Sequence, residues 1–213
     1  LVLLFVTAPF IEQFRNGASI ETALATVVMC MGVLAVGARR QTLVVAIVLV
    51  LPAVVGNWVH HLWDERYPIE AVVAGRLVFL AYVVARLLIF ILRAPRVNSE
   101  VLCAGISIYL LLGLLWALGY MLVARVTPDA FAFSVPAEMT RFNAFYFSFM
   151  TLTTVGYGDI TPVSNVARML AIMESMSGTL FVGVLIARLV SLYSTPGPAE
   201  PANGAATPLA GKP

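Results

Sequence analysis

The sequence predicts an all-α integral membrane protein, and its composition and its long apolar segments are the reasons. Of its 213 residues, 61% are hydrophobic and 11% are charged, whereas a typical soluble domain carries about 25% charged residues. Crossing a hydrocarbon core of about 30 Å takes about 20 apolar residues. Five segments are long enough for this, namely 18–38, 42–61, 68–92, 99–124 and 163–192.

The two ends of the chain differ from these five segments. Residues 1–11 are apolar but too short to cross alone, and we interpret them as the end of a truncated first span. This gives six transmembrane helices per chain. Residues 194–213 are rich in proline, glycine and alanine and have no apolar periodicity, so we expect a disordered cytoplasmic tail.

Two segments need separate comment. Pro52 lies within 42–61 and is expected to kink that helix without removing it from the membrane, because bundled neighbours satisfy the freed carbonyl. Residues 140–153 lie between the last two spans, and about 12 helical residues rise only about 18 Å. That length is typical of a re-entrant half-helix.

The strip that follows this half-helix, Thr153 to Asp159, reads T-T-V-G-Y-G-D. Gly156 and Gly158 alternate with larger residues, and glycine adopts positive φ at little steric cost. Such a strip can point successive carbonyl groups in one direction. Four strips around one axis would form rings of oxygen that replace the water around a potassium ion.

Residues 143–162, NAFYFSFMTLTTVGYGDITP, closely resemble the pore loop of the tetrameric potassium channel family, whose signature is T-V-G-Y-G. The resemblance covers roughly residues 99–193. It implies a pore domain over 99–193, with an outer helix, a pore helix, a selectivity filter and an inner helix. Residues 1–98 would then form an N-terminal four-helix membrane domain. The sequence contains one filter motif, so we expect three further copies of the chain in a homotetramer.

The resemblance also implies roles for individual residues. Thr154, Val155, Gly156 and Tyr157 would bind K⁺ through backbone carbonyls, and the Thr154 hydroxyl would complete the innermost site. Supporting roles fall to Thr153, Gly158, Asp159 and Tyr146. Many family members carry Trp where Tyr146 lies and Glu where Met150 lies, so the sequence departs from the family there. The aromatic residues of 142–149 would form a collar around the filter or, alternatively, a lipid-interface belt.

The last helix carries the gating candidates. Gly178 matches the distance of the family's hinge glycine from the filter; the alternative, which Gly183 shares, is close packing by small residues. Thr179, Val182 and Ile186 are candidates for lining a cavity below the filter. Glu174 must face protein or water, since a charge at mid-bilayer costs about 2.5–3.5 kcal/mol or more. It either tunes gating or acts as a protonated structural hydrogen-bond donor.

Voltage-gated relatives place a basic residue at every third position of the fourth span. The corresponding region here holds Arg76, Arg86, Arg93 and Arg96, at intervals of 10, 7 and 3. We therefore predict a structural collar that is not a voltage sensor, and a channel that is not strongly voltage-gated.

The charges in the loops indicate an orientation. If the filter mouth faces outward, the arginines of loops 38–41 and 93–96 fall on the cytoplasmic side, as the positive-inside rule requires. Both termini are then cytoplasmic. Arginine dominates the 13 basic residues, a bias typical of GC-rich bacterial genomes, so we predict a location in a bacterial plasma (inner) membrane.

The sequence thus predicts a channel that conducts K⁺ passively, with the lipid bilayer as its surroundings and K⁺ as permeant ion rather than cofactor. A net charge of +2 argues against nucleic acid. A weakly selective cation channel and a non-conducting subunit of a hetero-oligomer remain alternatives. An enzyme is disfavoured, because no Ser/His/Asp arrangement or metal-ligand spacing is present.

The polar cluster His60, His61, Asp64 and Glu65 is either an interfacial loop or a regulatory site.

Overall fold

Helices make up most of the chain that the computed structural model describes, which comprises residues 23, 26–33, 40–62, 69–94 and 99–193. We number the helices α1 (Arg40–Leu62), α2 (Ile69–Arg93), α3 (Ser99–Val126), α4 (Arg141–Leu152) and α5 (Asn165–Tyr193), and the strands β1 (Phe131–Phe133) and β2 (Ile160–Pro162). Residues 26–33 are also helical. The predicted stretch 1–11, much of 18–38 and the tail 194–213 lie outside the described residues.

Three of the described helices are long and apolar enough to cross a membrane, over Val72–Arg93, Ser99–Val126 and Asn165–Val190. This confirms the mainly helical membrane class. In α1 the apolar stretch Leu43–Gly56 is shorter, and the helix continues through Pro52. The count of six spans and the division at residues 98 and 193 stay predictions.

The third helix, α3, is the centre of the packing, because α2, α4 and α5 all contact it. One cluster of buried side chains joins its first half to α2 and includes Phe79, Val83 and Ile108. A second cluster joins its last turns to α4 and includes Tyr120 and Phe147. Along the first half of α3 the buried positions recur every three or four residues, at Val101, Gly105, Ile108 and Leu111, as expected of a helix that presents one face to its neighbours.

A two-stranded antiparallel sheet, which the sequence did not predict, lies beyond the end of α3. Strand β1 pairs with β2 so that Phe131 faces Pro162, Ala132 faces Thr161 and Phe133 faces Ile160. The backbone N–H of Ser134 extends the pairing to the carbonyl of Asp159, at 2.9 Å. The chain leaving the TVGYG strip is therefore paired directly with the loop that follows α3.

Side-chain caps fix where the two helices around this strip begin. Thr140 precedes α4, and its hydroxyl accepts a hydrogen bond from the N–H of Asn143 at 3.1 Å. Ser164 precedes α5 and accepts from the N–H of Ala167 at 3.1 Å. Each cap satisfies one of the backbone N–H groups that a helix start leaves without an intrahelical partner.

Arg188 joins the far end of α5 to the end of α2. Its guanidinium Nη2 donates to the carbonyl of Ala94 at 2.7 Å and to that of Leu92 at 3.4 Å. The carbonyls at a helix C-terminus lack intrahelical donors and carry partial negative charge. The Arg188 guanidinium supplies hydrogen-bond donors to these carbonyls and a positive charge beside them.

Candidate functional site

Residues Thr153 to Asp159 form an exposed strip without regular secondary structure between α4 and β2. Thr154, Gly156 and Gly158 have positive φ, at 61°, 53° and 82°. They alternate with Val155 and Tyr157, which lie outside the left-handed region. The positive φ predicted for the two glycines is therefore present.

The last turn of α4 determines which way the backbone of the strip faces. The N–H groups of Val155 and Gly156 both donate to the carbonyl of Met150, at 2.9 and 3.1 Å. Every described peptide bond is trans, and in a trans peptide the N–H and the preceding C=O point in opposite directions. The carbonyls of Thr154 and Val155 consequently point away from α4.

Thr154 is the one residue of the strip in which a side chain accompanies positive φ. Such a backbone costs a non-glycine residue about 1–3 kcal/mol and persists where the surrounding structure imposes it. The N–H of Thr154 donates to the carbonyl of Thr151 at 3.0 Å. Just before it, the Thr153 hydroxyl donates to the carbonyl of Phe149 at 2.6 Å. The end of α4 thus holds the start of the strip through consecutive bonds.

Asp159 anchors the other end of the strip. Its backbone carbonyl accepts from both the N–H and the hydroxyl of Ser134, at 2.9 and 3.2 Å. Partial desolvation raises the pKa of Tyr146, and the hydrogen bond that its hydroxyl donates to the Asp159 carboxylate raises that pKa further. Side-chain and backbone bonds together connect Asp159 to α4 and to β1.

The aromatic residues of α4 pack in two directions. The ring of Phe147 meets Tyr120 and Phe131 edge to face, with centroids 4.8 and 5.6 Å apart. The ring of Phe149 lies over Gly113 of α3, where an added Cβ would be 2.3 Å from the ring. Edge-to-face pairs are a favoured arrangement of aromatic rings. These two rings therefore fix α4 against α3 and β1.

A buried polar cluster lies where α3, α4 and α5 meet. Glu174 and Ser148 are both fully buried, and Ser148 Oγ is 2.5 Å from Glu174 Oε1 and 2.7 Å from the carbonyl oxygen of Gly113. The Tyr120 hydroxyl donates to Glu174 Oε2. Glu174 therefore faces protein, as its mid-helix position required.

Gly178 lies one turn beyond Glu174, against the last residue of α4. A Cβ at Gly178 would be 2.5 Å from the carbonyl oxygen of Leu152 and 2.8 Å from its Cδ1. The same carbonyl accepts a long hydrogen bond from the Tyr109 hydroxyl, at 3.5 Å. At Gly183, by contrast, an added Cβ would meet nothing within 4 Å. The backbones of α4 and α5 thus come close together at Gly178.

Comparison with known proteins indicates which family the sequence belongs to. Residues 100–195 match a family described as "Ion channel". The calcium-gated potassium channel TvoK of Thermoplasma volcanium is 46% identical over 48 residues, 22% of this chain and 14% of TvoK. The inward rectifier potassium channel Kirbac3.1 of Paramagnetospirillum magnetotacticum is 30% identical over 90 residues, 42% of this chain and 28% of that protein. Protein LctB of Bacillus caldotenax is 33% identical over 100 residues, 45% of this chain and 74% of LctB.

The chain belongs to the pore-loop potassium channel family. It spans less than a third of the length of TvoK and of Kirbac3.1. No solved structure matches the chain at a significant level. Family membership indicates a channel rather than an enzyme. We hereafter call α3, α4 and α5 the outer, pore and inner helices, which are the names that the predicted pore domain gives them.

Three further candidate residues lie on the inner helix. Thr179, Val182 and Ile186 are exposed in the single chain and recur at a spacing of three and four, which places them on one helix face. The Thr179 hydroxyl donates back to the carbonyl of Ser175 at 3.0 Å. Whether these residues line a cavity, and whether Gly178 and Gly183 bend the helix, stay predictions.

The arginines considered as voltage-sensing charges are only partly described. Arg76, Arg86 and Arg93 lie on α2. Arg76 and Arg86 are half-buried, and Arg93 is exposed at the helix end. Arg96, Asp64, Glu65 and the side chains of His60 and His61 lie outside the described residues. The interpretation of His60, His61, Asp64 and Glu65 as a regulatory site or an interfacial loop stays a prediction.

Sequence reasoning missed several residues that fix the pore helix and the end of the strip, which are Gly113, Tyr120, Ser148 and Ser134. One signal was available. Tyr120 and Ser148 are polar residues at helical positions that otherwise face the core, and such residues require a hydrogen-bond partner. Their spacing along the chain gave no indication that the partner was Glu174, which lies 54 residues from Tyr120.

Proposed function

We propose that the chain is one subunit of a potassium-selective channel, in which four identical copies conduct K⁺ passively across the membrane. The backbone carbonyls of Thr154, Val155, Gly156 and Tyr157 form the filter, and the Thr154 hydroxyl completes its innermost site. The observation that carries the proposal is the bonding of two successive filter N–H groups to Met150, which leaves the preceding carbonyls facing away from the pore helix. Membership of the potassium channel family supports it.

The mechanism follows from replacing water by protein oxygens. Rings of four carbonyls take the place of the hydration shell that K⁺ loses on entry, and several adjacent sites let ions repel one another so that exit stays fast. The C-terminal end of the pore helix carries about −0.5 elementary charge from its peptide dipoles. Four such ends directed at a central cavity favour a cation there, before it enters the filter.

The homotetramer is needed because one chain leaves the strip uncovered. All residues from Thr153 to Asp159 are exposed in the single chain, and unpaired backbone groups in lipid cost several kcal/mol each. The inner helix also exposes Met169, Met173 and Leu180, at 58%, 50% and 61%. Three further copies enclose both surfaces.

Native mass spectrometry of the reconstituted protein should give about four times the 22.9 kDa mass of the chain.

In the membrane we place the pore helix as a re-entrant segment within a six-span chain. Its 12 residues rise only about 18 Å, too little to cross. The filter mouth faces outward, and both termini are cytoplasmic, in a bacterial inner membrane. The arginines of the loops and Arg188 near the end of the inner helix then lie on the cytoplasmic side.

The test is ion flux into liposomes that contain the purified protein, with K⁺ compared against Na⁺. Gly156→Ala and Gly158→Ala should each abolish selectivity or conduction without preventing membrane insertion, because a side chain is strained at φ of 53° and 82°. Gly119→Ala is the matched control, since its Cβ would be 4.0 Å from the nearest atom, on Leu77.

Each other outcome of this test identifies an alternative. Equal K⁺ and Na⁺ flux in the unmodified protein would indicate a weakly selective cation channel. An intact tetramer without any flux would indicate a non-conducting subunit of a mixed assembly. Unchanged selectivity in both glycine variants would rule out this strip as the filter.

A further inference from the structure

Glu174 is a buried carboxyl group whose described hydrogen-bond partners are hydroxyls. It lies within the inner helix with none of its surface exposed, and Ser148 of the pore helix and Tyr120 of the outer helix are equally buried. Tyr120 and Tyr109, both on the outer helix, are the titratable side chains that interact with it electrostatically in the described part of the chain. The pore helix presents Ser148, which does not titrate.

The number of hydroxyl protons that Ser148 and Tyr120 can donate determines the protonation state of the Glu174 carboxyl group. Ser148 Oγ is within hydrogen-bond distance of two oxygens, the carbonyl of Gly113 at 2.7 Å and Glu174 Oε1 at 2.5 Å. A serine hydroxyl has one proton to donate, and a backbone carbonyl can only accept. If Ser148 donates to Gly113, the proton between Ser148 and Glu174 must come from Glu174.

An ionised Glu174 leaves one of these contacts without a proton. The Tyr120 and Ser148 hydroxyls would then supply two protons for three close oxygen pairs, so two acceptors would face each other at the third. A protonated Glu174 supplies the third proton, and all three pairs become hydrogen bonds. Burying a carboxylate without a positive partner is also costly, which favours the same state.

We infer that Glu174 carries a proton and acts as a positioning residue, donating to Ser148 so that the pore helix stays fixed between the inner and outer helices and the filter keeps its shape. This inference deepens the proposed function, on which its reference to the filter rests.

The connection from this cluster to the filter is short. Ser148 lies two residues before Met150, whose carbonyl receives the N–H groups of Val155 and Gly156. On the inner helix, Gly178 lies four residues after Glu174, so both share one helix face, and Gly178 contacts the end of the same pore helix. A change in the Glu174 bond thus acts on the segment that orients the filter carbonyls.

The direct test is infrared spectroscopy of the reconstituted protein near neutral pH. We expect the C=O band of a protonated carboxyl group, shifted in D₂O and missing from Glu174→Gln. A carboxylate band that disappears in this variant, with no protonated band, would overturn the inference. This readout needs no conduction, so it remains decisive even if the proposed channel function fails.

The functional test compares two variants of similar size. Glu174→Gln supplies an N–H for Ser148 and an oxygen for Tyr120, so the K⁺/Na⁺ permeability ratio should stay within about twofold of the unmodified protein. Glu174→Leu supplies neither and leaves the Tyr120 hydroxyl without its partner, so the ratio should fall about tenfold. A Gln variant as impaired as the Leu variant would contradict the assigned proton.

A pH series separates positioning from simple packing. As pH rises and Glu174 loses its proton, the permeability ratio of the unmodified protein should fall, while that of Glu174→Gln stays level. Tyr109 and Tyr120 are present in both proteins, so their titration cancels in the comparison. Parallel pH profiles would refute a role for the proton. Intact selectivity in both Gly156→Ala and Gly158→Ala would instead refute the filter assignment and leave the infrared result standing.

Discussion

At Gly178 the lack of a side chain sets the distance between two helices. The inner helix contacts the backbone of the pore helix there, because the nearest atom to an added Cβ is the carbonyl oxygen of Leu152. A carbonyl oxygen at a helix end cannot move aside as a flexible side chain can. Close packing at Gly178 is therefore a property of the described structure, whether or not the helix also bends there.

We expect Gly178→Ala to destabilise the assembled protein by about 1–3 kcal/mol, the usual cost of forcing extra volume into a packed site. Gly183→Ala is the matched control. This substitution should leave stability unchanged or raise it by up to about 1 kcal/mol through better helix propensity. The reason is that an added Cβ at Gly183 would have no neighbouring atom of the described chain within 4 Å. Thermal unfolding of both variants in lipid measures the difference. Equal melting temperatures would contradict close packing at Gly178.

Single residues were predictable from the sequence where the reason was local. The positive φ of Gly156 and Gly158 followed from the glycine pattern itself. The bonds from Val155 and Gly156 to Met150 were not predictable, since they depend on how the strip folds back against the helix end. The partners of Glu174 were hidden for the same reason, because they come from two other helices.

Among the elements, the small sheet connects the end of the strip, at Asp159, to the outer helix. Strand β2 follows Asp159 directly, and β1 packs its Phe131 ring edge to face on Tyr120, with centroids 5.8 Å apart. Two three-residue strands are marginal alone. They are held by these aromatic contacts and by the two bonds from Ser134 to the Asp159 carbonyl.

Ser134→Pro should lower both the stability of the protein and its K⁺/Na⁺ permeability ratio. Proline removes the N–H that donates to Asp159 together with the serine hydroxyl, and each lost bond is worth about 0.5–1.5 kcal/mol. Ser134→Ala is the control, because it keeps the N–H and loses only the hydroxyl. Thermal unfolding and liposome flux report the two effects. If Pro and Ala variants behave alike, the backbone bond has no role in holding the filter exit.

The helices were predicted to within a few residues. The expected segments 68–92, 99–124 and 163–192 correspond to Ile69–Arg93, Ser99–Val126 and Asn165–Tyr193, and 140–153 corresponds to Arg141–Leu152. Long apolar stretches bounded by polar residues define such helices without reference to their neighbours. The sheet escaped prediction because its strands are three residues long and pair across the whole pore loop.

For the molecule as a whole, the distribution of arginines on α2 predicts weak voltage dependence. Moving one elementary charge through the membrane field is worth about 2.3 kcal/mol per 100 mV, and steep opening takes three to four such charges in each subunit. Arg76 and Arg86 are the two arginines within the body of α2, ten positions apart, and Arg93 ends the helix.

Arg76→Gln and Arg86→Gln should therefore leave the steepness of the conductance–voltage curve unchanged. Planar bilayer recording over a range of voltages provides the measurement. Arg125→Gln, at the exposed end of the outer helix, serves as the comparison for nonspecific charge effects. A clearly shallower curve in Arg86→Gln alone would show that this arginine moves in the field.

Arg188 has a mechanical implication for a channel of this shape. Its guanidinium donates to the carbonyls of Leu92 and Ala94, so the last turns of the inner helix are tethered to the end of α2. An outward movement of the last turns of the inner helix must therefore either break these hydrogen bonds or move the end of α2 with them. Residues far from the strip at 153–159 can thus oppose or favour the opening of the channel without contacting an ion.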